Sequence, residues 1–171
     1  MPARLRYIRL LMMTRKLFLT AVYSVLLVML YIAIFTLSGQ DGETSGDLSM
    51  KLSGKCTEVL GNMSGGGWNS AKMAEMAKKL EHPLRKMAHF TEYALMSVLV
   101  WLLWSLWLPE RKTLHVIPVL WVFGSAILDE FHQSFVPGRH AGFDDVCVDT
   151  LGGIAGLVFI LLLHKCFCRE R

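Results

Sequence analysis

The residues able to handle an anion or a proton fall in four short clusters of an otherwise apolar chain. Ser38 and Gln40 close the first apolar run, and Arg85, Lys86, His89, Glu92 and Tyr93 open the second. Asp129, Glu130, His132 and Gln133 end the third, and Arg139, His140, Asp144, Asp145 and Asp149 lead into the fourth. Arg85, Lys86, His89, His132 and Arg139 can donate charge-assisted hydrogen bonds to a phosphate or carboxylate. Glu92, Asp129, Glu130, Asp144, Asp145 and Asp149 can accept protons or bind a divalent cation. This mixture suits a phosphorylated lipid headgroup, with Arg85 and Arg139 meeting the phosphate and His89 or His132 placed for proton transfer.

Helical spacing gathers these groups further. Arg85, His89 and Glu92 share one helix face, as do Asp129, His132 and Gln133, and as do Asp145 and Asp149. Ionisable groups at membrane depth cost several kcal/mol unless paired or wetted, so the faces are expected to converge on a small polar chamber. A purely structural alternative pairs Arg85 with Glu92 or Asp145 and Arg139 with Asp129. A zinc site from His89, Glu92 and His132 has acceptable ligands but no His-Glu-x-x-His spacing, so no metal is assigned and no cofactor is indicated. Ser38 as a nucleophile beside His89 is weaker still, since a serine ending a helix commonly bonds backbone carbonyls or water.

The elements that position these residues follow from composition. The chain has 171 residues, 53% hydrophobic, with a mean hydropathy of +0.42, more apolar than a soluble domain of this size can bury. Apolar stretches at about 17–37, 87–108, 114–131 and 146–167 each suffice to span, since about 21 residues at about 1.5 Å rise reach roughly 30 Å. The expected fold is an all-α membrane protein of four transmembrane helices, residues 1–171 forming one domain. Trp101, Trp104 and Trp107 approach the end of the second span, where Pro109 stops the helix. Gly152, Gly153 and Gly156 include a Gly-x-x-x-Gly spacing that lets helices approach closely beneath the chamber.

Arg4, Arg6, Arg9, Arg15 and Lys16 precede the first span without an acid, which places the N-terminus in the cytoplasm. The apolar run is too long for a signal peptide and no Ala-x-Ala-like site follows, so it reads as a retained anchor. Four spans return the C-terminus, with Lys165, Arg169 and Arg171, to the same side, together with the Glu110-Arg111-Lys112 turn. The segment 41–83 then becomes an outer loop of two short helices broken at Ser64-Gly65-Gly66-Gly67, the second from 68 to 80 lying in the interface or capping the bundle. The net charge of +4 comes from span ends with no aromatic-basic module, which favours membrane lipid over nucleic acid as the partner. The cysteines Cys56, Cys147, Cys166 and Cys168 show no metal spacing. Free or packed thiols are expected in preference to a Cys56–Cys147 disulfide.

The segments Arg85-Lys86-Met87-Ala88-His89-Phe90-Thr91-Glu92-Tyr93, Asp129-Glu130-Phe131-His132-Gln133 and Pro137-Gly138-Arg139, followed by Asp144-Asp145 and Asp149-Thr150-Leu151-Gly152, resemble the VanZ-like family of bacterial membrane proteins. Ser38-Gly39-Gln40 is similar to that family's Ser-Gln signature at the end of the first helix. The resemblance covers roughly 37–156. It implies a multi-pass protein of the bacterial cytoplasmic membrane, in a family whose founding member is associated with low-level teicoplanin resistance, but it implies no reaction. Two functions stay open: binding of an isoprenoid phosphate or lipid-linked cell-wall precursor, or an enzyme on a phosphorylated lipid headgroup using His89, Glu92 and His132 as acid and base.

Overall fold

The computed structural model describes residues 3–65, 67–108, 111–139 and 141–168. Gly66, Pro109, Glu110, His140, Arg169 and Arg171 lie outside the described residues. Five helices follow in order: α1 (Ala3–Ser38), α2 (Gly42–Met63), α3 (Ser70–Ser105), α4 (Arg111–Gln133) and α5 (Phe143–Cys168). Among the described residues there is no strand, and four helices, α1, α3, α4 and α5, are long and apolar enough to cross a bilayer. The chain is an all-helical multi-pass membrane protein, as composition required.

The segment between the first two spans differs from expectation. Its first helix is the 22-residue α2, and its second is no separate element but the beginning of the 36-residue α3. Continuity runs through Pro83, which lacks an N–H and leaves the Lys79 carbonyl without its usual helical partner. Both new helix starts are capped: the Asp41 carboxylate accepts from Thr44 N at 2.7 Å, and the Asn69 side chain from Lys72 N at 2.9 Å. The Thr44 amide holds the Asp41 carboxyl below its ordinary range. Helix α2 packs on the early turns of α3, where Gly61 faces Met73 and Trp68. The polar start of α3 is thus packed against α2.

Helix α1 touches the bundle along one stripe, Leu27, Leu30, Tyr31, Ile34 and Ser38, at helical spacing. Its other face leaves Met29 and Ile32 about three-fifths exposed, at 60% and 62%, apolar surface that lipid must cover. Leu27 and Ile34 join Tyr93, Met96, Val100, Val122, Ala126 and Val146 in the main core. At the opposite end from the polar clusters, Trp107 Nε1 donates to Thr20 Oγ1 at 2.9 Å and the Lys16 ammonium lies 5.9 Å from the Trp107 ring. The basic lead-in and the tryptophan belt therefore share one level, as an interface would require.

The contact that sets the register of the bundle is between α3 and α5. A Cβ on Gly152 would strike the Phe90 carbonyl, and one on Gly156 would strike the Ala94 carbonyl. Gly153 turns toward α4, where a Cβ would lie 2.6 Å from Val122 Cγ1. Helix α5 thus meets the backbone of α3 through the Gly-x-x-x-Gly pair Gly152 and Gly156, and a valine side chain of α4 through Gly153.

Candidate functional site

The glycine contact explains which charges pair above it. Phe90 and Ala94 face α5, and Lys86 lies one turn earlier on the same stripe of α3. Lys86 Nζ accordingly reaches Asp144 Oδ2 and Asp145 Oδ1, each at 2.8 Å, in the first turn of α5. Arg85 is rotated about 100° from that stripe, and its Nη1 lies 3.6 Å from Glu81 Oε1. The expected Arg85 pairing with Glu92 or Asp145 is replaced by this loose contact, because helix packing turns Lys86 and not Arg85 toward α5.

Arg139 also finds different partners. Gly138, with φ of 74°, turns the chain after α4 and brings the guanidinium to the end of α1. Its Nε donates to the Gln40 carbonyl at 3.1 Å and its Nη2 to the Leu37 carbonyl at 3.0 Å. The expected Asp129 partner is occupied elsewhere: Asp129 Oδ2 accepts from Ser38 Oγ at 2.9 Å and Gln133 Nε2 at 3.0 Å. Burial, then the charges of nearby Arg85, push the Arg139 guanidinium below its ordinary value. Bound to neutral carbonyls, Arg139 keeps its charge available to an anion. Glu130 Oε2 accepts from Gly142 N at 2.8 Å and pins the α4–α5 connection.

Two cavities open around these residues. The first, about 440 Å³, is walled by Arg85, Lys86, His89, Arg139, Glu130 and the carboxylates at the start of α5, including Asp149. Gln133 and His82 also line it. The second, about 110 Å³, lies between α1, α2 and α3 and is walled by Leu37, Leu48, Leu52, Leu84 and Ala88. Arg85, His89 and Arg139 belong to both. Gln40 and Glu92 face the second cavity, where Glu92 Oε2 lies 3.9 Å from His89 Nδ1.

Four of the residues singled out from sequence stand behind the cavities. Ser38, Tyr93 and Asp129 are fully buried. His132 packs its ring 5.3 Å from that of Phe35, and its Nδ1 has no hydrogen-bond partner. His89 and Glu92 are brought together, whereas His132 does not line the larger cavity. Residues missed from sequence are His82 and the α2 side chains Ser45 and Ser49. They lie in the segment 41–83, read as an outer loop with two helices, and no local spacing ties them to the polar clusters. Among the described residues, the group placed to hold a metal is His89, Asp129 and Asp149, whose ligand atoms lie within 4.8 Å of one another, and not the trio of His89, Glu92 and His132. Cys56, Cys147 and Cys166 are free thiols.

The fold and the site define a multi-pass membrane protein with a charged pocket at one end of its helices. The family described as VanZ/LLP1 matches residues 19–164, and the chain belongs to that family. No curated protein and no solved structure matches it.

Proposed function

We propose that this protein binds an anionic amphiphile, an isoprenoid phosphate or lipid-linked cell-wall precursor, in the bacterial cell envelope. The supporting observation is that two cavities of different wall chemistry share Arg85, His89 and Arg139. A phosphate headgroup suits the larger, charged cavity, and the first isoprene units suit the leucine-walled one. Residues 1–171 act in this reading as one domain. Its link to teicoplanin susceptibility rests on family membership. An acid–base enzyme draws support from the His89–Glu92 contact alone, since His132 stands apart, and binding is therefore the reading adopted.

The test is a thermal melt of the purified full chain with an isoprenoid phosphate and with the corresponding alcohol. A ligand at about 100 times its Kd stabilises the folded state by about 2.7 kcal/mol. The phosphate is expected to raise the melting temperature of the parent and not of Arg85→Ala, while the alcohol leaves both unchanged. Equal stabilisation by phosphate and alcohol would remove the role assigned to the cations.

The cavities belong, in this reading, to the outer leaflet, with both termini cytoplasmic. Cys147, exposed in the early turns of α5, and Cys166, exposed near its other end, report on this directly. An impermeant thiol reagent on intact cells should label Cys147 in a Cys166→Ser variant, and Cys166 in a Cys147→Ser variant only after permeabilisation, with Cys56→Ser and Cys168→Ser in both. The reverse pattern would place the pocket in the cytoplasm.

A further inference from the structure

Beneath the charged cavity, three helices bring a histidine and two aspartates together without a compensating cation. His89 of α3, Asp129 of α4 and Asp149 of α5 offer ligand atoms within 4.8 Å of one another. Asp129 and Asp149 are 0% and 2% exposed. Among the described residues neither forms an ion pair: Lys86 is taken by Asp144 and Asp145, and Arg139 by carbonyl oxygens. Two buried carboxylates this close repel unless a proton or a cation lies between them.

The unused atoms indicate where a cation fits. Asp129 spends Oδ2 on Ser38 and Gln133, while its buried Oδ1 has no hydrogen-bond partner. His89 Nδ1 is likewise buried and unpartnered by a hydrogen bond. Ser38 and Gln133 hold the Asp129 carboxylate in place, the role that outer hydrogen bonds play around a metal ligand. Glu92 Oε2, 3.9 Å from His89 Nδ1, lies beyond hydrogen-bond reach and leaves that nitrogen free for a cation.

We propose that His89, Asp129 and Asp149 form a binding site for a first-row divalent cation of the zinc type. One imidazole and two carboxylates suit such an ion better than calcium or magnesium, which favour oxygen ligands alone. Metal–nitrogen and metal–oxygen distances of about 2.0–2.2 Å put tetrahedral ligand atoms roughly 3.3–3.6 Å apart, so side chains whose ligand atoms lie up to 4.8 Å apart must close by up to roughly an ångström. His89 and Asp149 also line the larger cavity, so the remaining coordination position faces it. The site stands on its own residues and does not depend on an anionic lipid being the ligand.

The test uses the purified full chain, stripped with chelator and dialysed against zinc chloride without added lipid. The parent should retain roughly one zinc ion per chain, the stoichiometry of a three-residue site, and melt at a higher temperature with zinc than without. Asp149→Asn, which preserves shape, should lose both effects while melting no lower than the parent in the absence of zinc. His89→Gln, at a position open to the cavity, should lose them too and decides the matter if Asp149→Asn does not fold. Failure of the parent to bind zinc would leave a shared proton between the carboxylates and overturn the proposal. Retention of zinc by both variants would assign it to the thiols and overturn it equally. Because no lipid is present, neither outcome bears on the anionic-ligand reading.

Discussion

Replacing Gly156 by alanine should destabilise the protein by about 1–3 kcal/mol or more, the range for forcing extra methyl groups into a packed interface. The reason is specific to this helix pair. The new Cβ would lie 2.8 Å from the Ala94 carbonyl carbon and closer still to its oxygen, and backbone cannot rotate away as a side chain can. Helices α3 and α5 must move apart, and the same displacement loosens the Lys86 bridge to Asp144 and Asp145. Gly124→Ala supplies the control, since nothing lies within 4 Å of its Cβ position. Unfolding of the two variants in detergent, followed side by side, checks this. Equal stability of Gly156→Ala and Gly124→Ala would contradict the close α3–α5 contact.

Arg139→Ala carries the second large effect. The guanidinium donates to the Leu37 and Gln40 carbonyls just where α1 stops, and the Leu37 carbonyl also accepts a long bond from Gln40 N at 3.4 Å. Hydrogen bonds from charged donors contribute about 1.5–3 kcal/mol each, and exposure on one side reduces that, so a total loss on the order of 3 kcal/mol is expected. Lysine at this position keeps the charge but not the fork that spans two carbonyls, so Arg139→Lys should recover only part of the stability. The same unfolding measurement decides it. Stability unchanged in Arg139→Ala would mean that the end of α1 is held by other contacts.

The spans were legible because their signal is local. Long charge-free runs announce α1 and α5, and the glycine spacing of α5 announces its close neighbours. The start of α3 was less legible: residues 70–86 are polar, and Pro83 is an ordinary sign of a helix end, so one continuous helix read as two pieces. The shared face of Arg85, His89 and Glu92 also follows from local spacing. The pairing of Lys86 with Asp144 and Asp145 does not, because it depends on the rotation of α3 against α5, which Phe90, Ala94, Gly152 and Gly156 fix. The meeting of His89, Asp129 and Asp149 is likewise a property of three helices at once. No spacing along one helix encodes it.

The central claim, that the charged pocket holds an anionic amphiphile, is tested most directly by mass spectrometry of lipids released from the purified chain. The parent and Arg85→Ala, prepared identically and shown to melt as folded proteins, are compared for what each retains. Arg85 lines both cavities and, among the described residues, forms an ion pair only with Glu81 at 3.6 Å, so its removal should spare the fold and empty the pocket. A phosphorylated isoprenoid lipid carried by the parent and absent from Arg85→Ala is the predicted result. The same lipids in both, in the proportions of the surrounding membrane, would contradict it.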